Sequence, residues 1–304
     1  MIIGADIGGS HITCALVDLE SKKIVSESLI TIKVDSKAPK EIILGKWAEA
    51  LNATIATHKN PVDGVSIGFA MPGPFDYQTG TAKFTGNNEK FQNLYGVSIT
   101  NELPFYITTK KCGFRFLNDA AAFGAGLATL AGIDSFNRSL ILTFGTGLGA
   151  SFLKKGVPCL KGDTIPKDGC LWDKSFRSGI GDAYFSTRWF VNRYEELTNE
   201  KVNGVKEIVQ KNGDAMELIF TEFSQNLIDF LKPYITKFRP QVIVMGGNIS
   251  KAGDFFLPKC SKLIEQLGME VDIKVSEIGE EAAVLGSAQL FDTSFWNQLN
   301  AYQL

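Results

Sequence analysis

Apolar residues near the start of the chain are grouped and spaced in a way that predicts two strands joined by a glycine turn. Residues 2–7 are mostly apolar, residues 8–10 are Gly-Gly-Ser, and Ile12, Cys14 and Leu16 then recur with the two-residue period of a strand. A dinucleotide-binding fold would need the glycines to open a helix, and a P-loop would need Gly-Lys-Ser or Gly-Lys-Thr. Both of these nucleotide-binding folds are therefore disfavoured.

The same pattern returns in the second half of the chain. An apolar segment at 139–144 is followed by Gly-Thr-Gly-Leu-Gly at 145–149 and by a further apolar segment at 150–153. Aligning residues 6–10 with 143–147 predicts an internal duplication of a βββαβα-like unit, in which each lobe starts with a glycine hairpin.

Helical periodicity fills much of the remaining chain. In the longest segment, apolar residues recur at three- and four-residue steps, which predicts one buried stripe. A strand at 241–245 comes next, and Ser250 is positioned to cap the helix that follows it. The last predicted helix is expected to pack on the first lobe. The predicted helices span about residues 40–57, 119–131, 182–197, 214–238 and 280–291.

The chain is long enough for two domains. Its 304 residues exceed the usual size of a single core, so we expect two lobes with a ligand cleft between them. Hydrophobic residues make up 44% and charged residues 21% of the chain, which is typical of a globular protein. The formal net charge of −2 and the lack of a Lys/Arg block argue against a nucleic-acid partner.

The cysteines and the N-terminus indicate the compartment. The 5 cysteines are widely spread without a C-x-x-C pair, which is typical of free thiols in a reducing environment. The sequence has neither a signal-peptide pattern at its start nor an apolar stretch of membrane-spanning length. We therefore expect a cytoplasmic protein without a membrane partner.

Two glycine turns are candidates for phosphate binding. Asp6 stands just before the turn at 8–10, where missing side chains let backbone N–H groups approach phosphate oxygens and where the carboxylate can hold Mg²⁺, directly or through water. His11 is expected to line this loop. The segment 145–149 is a second such loop, in which Thr146 can donate to a phosphate. An ordinary hairpin in the first case and a flexible turn in the second remain open alternatives.

Further candidate motifs follow predicted strands. Gly-Gly-Asn at 246–248 would let a flat adenine or ribose lie against the chain, although a tight turn explains it as well. Asn118 and Asp119 stand at the N-terminus of the Ala-rich helix, where the helix dipole favours the ionised carboxylate that a general base needs. A simple N-cap is the alternative there. Met-Pro-Gly-Pro-Phe-Asp at 71–76 is predicted to form a rigid turn.

Together these motifs resemble the ROK family of sugar kinases and repressors, within the wider actin and hexokinase fold. They are D-I-G-G-S, M-P-G-P-F-D, L-N-D-A-A-A, F-G-T-G-L-G and V-M-G-G-N, and the resemblance covers residue 2 to about residue 290. It implies an α/β protein with two actin-like (ribonuclease H-like) lobes and an interlobe cleft. The N-terminal sugar and phosphate lobe would hold residues 1–118 and about 285–304, and the C-terminal nucleotide-binding lobe residues 119–284.

The resemblance implies ATP-dependent, glucokinase-like phosphorylation of a small-molecule sugar, with Mg²⁺ as cofactor. Asp119 would take a proton from a sugar hydroxyl, Asn118 would bond a sugar hydroxyl, and Gly73 would present its backbone to the sugar. Asp6 would hold the Mg²⁺. The implied ligands of the phosphates and the nucleoside are Gly8, Gly9, Ser10, Gly145, Thr146, Gly147, Gly246, Gly247 and Asn248.

The chain departs from the family pattern after the second glycine loop. Many members carry a Glu-x-Gly-His sugar clamp and a C-x-C-G-x-x-G-C-x-E zinc motif there, but residues 156–170 contain neither Glu nor His. Cys159 and Cys170 alone cannot complete a four-ligand zinc site, so no structural zinc is expected. In the loop after the 71–76 turn, sugar ligands are sought among Asn87, Asn88 and Asn93.

A sugar kinase is the predicted function, and non-catalytic functions are weighed against it. A repressor would carry a DNA-binding domain ahead of the first phosphate strand, which begins at Ile2. A catalytically degenerate sugar or nucleotide sensor would explain the lost clamp, but such a sensor has no need of Asp119 beside Asn118. A homodimer is expected from the family alone, and glucose is the default substrate for the same reason.

Overall fold

The computed structural model describes residues 1–59, 63–85 and 90–302. Its helices are α1 (Lys40–Ala56), α2 (Ile99–Glu102), α3 (Asp119–Leu130), α4 (Gly181–Tyr184), α5 (Thr187–Thr198), α6 (Val205–Lys211), α7 (Asp214–Phe238), α8 (Gly253–Gln266), α9 (Glu281–Ala288) and α10 (Thr293–Ala301). Within these described ranges, no helix combines the length and the apolar character needed to cross a membrane.

The β-strands, in chain order, are β1 (Ile2–Ile7), β2 (His11–Asp18), β3 (Lys23–Ile24), β4 (Ile30–Lys33), β5 (Val65–Met71), β6 (Phe75–Asp76), β7 (Thr81–Ala82), β8 (Cys112–Asn118), β9 (Arg138–Phe144), β10 (Leu148–Lys154), β11 (Val157–Pro158), β12 (Ser175–Phe176), β13 (Gly179–Ile180), β14 (Val242–Gly246) and β15 (Asp272–Val275).

The chain divides into two compact units. The first comprises Met1–Ala131 and Glu280–Asn300, and the second comprises Gly132–Gly279 and Ala301–Leu304. We predicted the division after Asn118, which would place α3 in the second unit. The division falls after Ala131 instead, because α3 packs against α9 and β5 of the first unit.

The first unit is built on a six-stranded mixed sheet. Its strand order is β3-β2-β1-β5-β8, with β4 also paired to β2. Strand β1 is antiparallel to β2 and parallel to β5, and β5 is parallel to β8. The carboxyl ends of β1, β5 and β8 therefore meet at one edge of this sheet.

The second unit repeats this arrangement in a five-stranded sheet of order β11-β10-β9-β14-β15. Strand β9 is antiparallel to β10 and parallel to β14, and β14 is parallel to β15. These strands take the places that β1, β2, β5 and β8 have in the first sheet. The predicted duplication is confirmed, and each glycine loop lies at the same hairpin of its own sheet.

Each unit has its own hydrophobic core. Trp47 of α1 is fully buried in the first unit. In the second unit, the predicted apolar stripe of α7 is buried, and aromatic rings surround Phe223 at its centre. Burying one such ring stabilises a fold by about 1.5–3 kcal/mol. The rings in contact with Phe223 include those of Phe144, Phe185, Phe190 and Phe256.

Glycines allow α9 to lie directly against α3. A Cβ atom added at Gly286 would overlap the carbonyl oxygen of Ala122, and one added at Gly126 would overlap that of Ala282. The backbones of the two helices are therefore in contact, with no side chain between them at these points.

The same helix lies close to the sheet of the first unit. A Cβ atom added at Gly4 of β1 would overlap the carbonyl of Val284, and one at Gly68 of β5 would overlap that of Ser287. The backbone N–H of Ala5 donates to the Ser287 hydroxyl at 3.1 Å. The contacts at Gly4 and Gly68 join backbone to backbone and leave no room for a side chain. They therefore position the N-termini of α3 and α9 relative to β1.

Two helix predictions were wrong in detail. The helix predicted at 182–197 is two helices, α4 and α5, because Ser186 between them is extended. Ser250 does not cap α8. Its hydroxyl donates instead to the carbonyl of Gly246 at 2.7 Å, within the short turn Ile249–Ala252, because that strand-end carbonyl lies within reach.

Candidate active site

Asp6 and Asp119 are brought together by the register of the first sheet. Asp6 on β1 pairs with Ala70 on β5, and Ala70 pairs with Leu117 on β8. Strand β8 ends one residue later, so α3 begins with Asp119 beside this row. Burial raises the pKa of Asp6, and the two carboxyl groups are close enough that the charge of Asp119 raises it further.

Asn118 is the N-cap of α3. Its side-chain oxygen accepts hydrogen bonds from the backbone N–H groups of Ala120 at 3.1 Å and Ala121 at 3.3 Å, which lack partners inside the helix. Its side-chain nitrogen donates to Oδ1 of Asp119 at 2.9 Å and to the hydroxyl of Tyr77 at 3.2 Å. The capping role therefore belongs to Asn118, and Asp119 is left as the acid of the first turn.

The surroundings of Asp119 raise its pKa. Burial of the carboxyl group is the main cause. The Ala120 N–H, which donates to Oδ1 at 2.8 Å, the charge of Lys90 and the Asn118 side chain act in the opposite direction. A carboxylate with a raised pKa is a stronger base, so Asp119 is suited to accept a proton from a hydroxyl group.

The pKa of Asp6 is also raised. Burial, followed by the charges of Asp119 and Glu280, raises the pKa of Asp6 from its ordinary value of 3.8 to about 8. Asp6 therefore holds its proton to a higher pH than an ordinary aspartate does. This carboxyl group is suited to hold Mg²⁺, because the ion would relieve the repulsion between the carboxylates.

The raised pKa of Asp6 predicts how stability depends on pH. Between about pH 4 and pH 8 the folded protein holds a proton on Asp6 that the unfolded chain has released, so stability falls as the pH rises through this window. Asp6→Asn has no proton to lose. Above about pH 8 the wild type must bury an ionised carboxylate at this position, and the variant does not. We therefore expect the variant to be more stable there, with a Tm about 2–4 °C higher for each kcal/mol by which its free energy of unfolding exceeds that of the wild type.

Differential scanning calorimetry with EDTA present, on either side of this window, checks the expectation. Asp229→Asn is the matched control, because Asp229 is an exposed carboxylate on α7. Parallel Tm curves for Asp6→Asn and the wild type would contradict the raised pKa.

Glu280, just before α9, completes the acidic cluster. Its Oε1 lies 2.8 Å from Nε2 of His11, and its Oε2 accepts from the Thr13 hydroxyl at 3.0 Å. The other ring nitrogen of His11 lies 3.0 Å from the Ser10 hydroxyl. His11 lines the glycine loop as expected. Glu280 was missed, because only the packing of α9 brings it to this loop.

The first glycine turn is a closed hairpin. The Gly8 N–H donates to the carbonyl of His11 at 2.9 Å, and Ser10 is exposed to solvent. The space beside Gly9 is taken by the side chain of Lys90. Lys90 was missed in the sequence, because it belongs to none of the motifs and reaches the turn from a distant segment. Binding of phosphate by this turn remains a prediction.

The second glycine loop is braced by Asp182 of α4. Oδ1 of Asp182 accepts from the Leu148 N–H at 2.8 Å, and a Cβ atom added at Gly147 would come within 2.6 Å of the same oxygen. Asp182 is in turn paired with Arg188 at 2.6 Å. Thr146 at the tip is exposed, so its hydroxyl is accessible to a ligand.

Residues 246–248 lie where β14 of the same unit ends, and Gly246 is the last residue of that strand. Gly247 has a φ of +89°, and a Cβ atom there would come within 2.4 Å of the carbonyl oxygen of Phe144, so this position requires glycine. Gly247 and Asn248 are exposed, whereas Gly246 is buried. The turn is tight, as the alternative interpretation held, and its exposed face remains a proposed nucleoside site.

Of the predicted sugar ligands, Gly73 lies near Asn118, whereas Asn93 is bonded to another segment. Gly73 follows β5, and a Cβ atom there would lie 3.5 Å from the hydroxyl of Tyr77, the group that also contacts Asn118. Asn93 is exposed, and its side-chain nitrogen donates to the carbonyls of Lys37 and Ala38, each at 2.9 Å. A sugar would then find only its carbonyl oxygen. The candidates at positions 87 and 88 lie outside the described residues.

Cys159 and Cys170 of the second unit lie in different environments. Cys159 is buried, and Cys170 lies near Lys174 and Asp173. Across residues 1–59, 63–85 and 90–302, no group of three or more His, Cys, Asp and Glu side chains is arranged to hold a metal ion.

Comparison with known proteins adds the family. The ROK family model matches residues 2–162 and 177–294, and the unmatched stretch between them overlaps the region where the sugar clamp is missing. A glucokinase of Thermotoga maritima is 24% identical, over 95% of this chain and 96% of the relative. An N-acetyl-D-glucosamine kinase of Haemophilus influenzae is 27% identical, over 96% of this chain and 100% of the relative.

A solved structure agrees with the fold. The ROK hexokinase from Thermus thermophilus superposes with a TM-score of 0.74 at 18% identity, over 97% of this chain and 99% of that chain. Identity at this level supports the fold alone. Because the family model covers most of the chain and both compact units, the chain belongs to the ROK family.

Proposed function

We propose that this protein is a sugar kinase that transfers a phosphoryl group from ATP to a hydroxyl group of a hexose. The placement of Asp119 carries the proposal: a carboxyl with a raised pKa stands at the first turn of α3, beside Asp6 and at the carboxyl ends of parallel strands. The names of the relatives, a glucokinase and an N-acetyl-D-glucosamine kinase, support a sugar as the acceptor.

Asp119 is the proposed general base. As the sugar oxygen attacks the γ-phosphorus of ATP, the hydroxyl proton passes to Asp119, and the bond from phosphorus to the bridging oxygen of ADP breaks. The oxygen of the neighbouring Asn118 caps α3, and both N–H groups of its side chain have partners. Its side-chain nitrogen would therefore bond a sugar hydroxyl in place of the Tyr77 hydroxyl. Gly73 would present its backbone from the adjacent turn.

Asp6 is the proposed Mg²⁺ ligand, directly or through water. The ion, when bound, supplies positive charge against the ATP phosphates. No cluster of three or more metal-binding side chains is found in the described residues, which fits an ion held by one carboxyl together with phosphates and water. Loss of the proton from Asp6 would accompany binding of the ion.

The second unit contributes the proposed nucleotide ligands at residues 145–147 and 246–248, in addition to Gly8, Gly9 and Ser10 of the first unit. Thr146 is exposed at the tip of a loop whose shape is fixed by Asp182, and Gly247 and Asn248 are exposed at the end of β14. The backbone around Gly145 is held by Thr187, whose N–H and hydroxyl both donate to the Gly145 carbonyl at 2.8 Å. A loop with its backbone already ordered loses less entropy when it binds phosphate.

A coupled ADP-release assay with Mg-ATP tests the proposal. The panel is glucose, mannose, fructose, allose, N-acetylglucosamine and N-acetylmannosamine, and glucose is the sugar we expect to be used. ADP release that depends on one of these sugars would establish the kinase and identify its acceptor. If ATP binds but none of the sugars stimulates ADP release, the kinase proposal is wrong for these sugars.

A sugar or nucleotide sensor without catalysis is the second candidate. It is favoured by one observation, the lack of Glu and His in residues 156–170, where the family clamp would stand. A sensor would bind sugar and ATP in calorimetry and release no ADP. The same panel therefore separates the two functions.

A further inference from the structure

Lys90 occupies the space that the first glycine turn leaves open. A Cβ atom added at Gly9 would lie 2.6 Å from Cε, 2.7 Å from Cδ and 2.9 Å from Nζ of Lys90. Gly9 therefore lacks a side chain at the point where the lysine side chain passes. The ammonium group is brought to the turn that was predicted to meet phosphate.

The same ammonium group acts on the proposed base. The positive charge of Lys90 lowers the pKa of Asp119, against the larger effect of burial. The two residues are therefore close in space, although they belong to distant segments of the chain. Lys90 is thus near both the first glycine turn and Asp119. It is partly buried, which strengthens its electrostatic interactions relative to those of an exposed lysine.

The carboxyl groups around Asp6 make this site favourable for a cation. The carboxyl groups of Asp119 and Glu280 both lie close enough to Asp6 for their charges to act on it. The terminal phosphate of ATP would add further negative charge beside them. A lysine ammonium group has three N–H donors and no acceptor, so it can bind a phosphoryl oxygen as a point charge.

We propose that Lys90 is a catalytic residue whose ammonium group donates to the phosphoryl group during its transfer. This inference rests on the proposed kinase function and adds a residue outside the family motifs. The sugar oxygen forms the new bond to phosphorus, the bond to the ADP oxygen breaks, and the hydroxyl proton goes to Asp119. Lys90 keeps its own protons and neutralises part of the charge that spreads over the transferred group.

Lys90→Met and Lys90→Arg test the role of the charge. Methionine keeps much of the length of the side chain, and arginine keeps the charge. With the sugar that the wild type uses, we expect Lys90→Met to lower kcat by about 10²-fold and to change the KM for sugar by less than about threefold. Lys90→Arg should recover at least about a tenth of the wild-type kcat. The matched control is Lys83→Met, because Lys83 is 58% exposed and pairs with Asp76.

Binding of tripolyphosphate, measured by calorimetry in the absence of sugar, gives a readout that does not need turnover. We expect Lys90→Met to weaken it by about tenfold and Lys83→Met to leave it unchanged, since removing one charged partner costs about 1.4 kcal/mol or more at such a site. Suppose that the wild type phosphorylates no sugar while Lys90→Met still binds tripolyphosphate more weakly than the wild type does. In that case the kinase proposal fails and the phosphate contact of Lys90 stands. If Lys90→Met matches the wild type within about twofold in both measurements, the inference about Lys90 is overturned.

Discussion

Replacing Asp119 with Asn should slow sugar phosphorylation greatly in a protein that stays folded. Asparagine keeps the side-chain oxygen that accepts from the Ala120 N–H, but it cannot take a proton from the sugar. We therefore expect turnover to fall by about 10²-fold or more. The affinity for nucleotide should be nearly unchanged, because Asp119 is proposed to take the proton of the sugar hydroxyl and not to bind the nucleotide. The coupled assay gives kcat and KM, and calorimetry gives the nucleotide affinity.

Asp229→Asn is the matched control, because it makes the same chemical change at an exposed position on α7. The pH profile of the wild type supplies a second test. Since the pKa of Asp119 is raised, the loss of activity on acidification should begin above the usual pH range of an aspartate. Near-normal turnover of Asp119→Asn would remove this residue from the role of base.

Replacing Gly286 with Ala should destabilise the first unit strongly. The added methyl group would overlap the carbonyl oxygen of Ala122 and would press on the backbone nitrogen of Gly126 at 2.8 Å. These are backbone atoms of α3, so the helices must separate to admit the methyl group. Overpacking of this kind costs about 1–3 kcal/mol, and Tm should fall by about 2–4 °C for each kcal/mol. Thermal unfolding followed by circular dichroism measures the change.

Gly45→Ala is the matched control for this prediction. Gly45 also lies inside a helix, α1, but no heavy atom outside its own helix stands within 4 Å of the added Cβ atom. Alanine is a better helix former than glycine, so this variant should be more stable by about 0.5–1 kcal/mol. Equal Tm values for the two variants would contradict the close packing of α3 and α9.

The structure explains why this packing matters for the site. Helix α3 begins with Asp119, and Glu280 directly precedes α9. Close contact between these helices and β1 fixes both residues relative to Asp6. A variant that separates the helices should therefore weaken activity as well as stability.

Local patterns in the sequence predicted several main elements of this protein. The two-residue period predicted the strands on either side of the first glycine turn, and the repeated glycine motif predicted the duplicated sheet. The stripe of α7 was predicted by its three- and four-residue spacing. These features depend on residues that are near each other in the chain, so they can be recognised without a structure.

The sequence by itself determined the fold class, the family motifs and the identity of Asp119 as the candidate base. Only the tertiary structure decided that Asp119 and Glu280 lie near Asp6, that α3 belongs to the first unit, and that Lys90 reaches Gly9. The physical reason is sequence separation. Strand register and the contact of glycine backbones set these distances, and both arise between segments that are far apart in the chain.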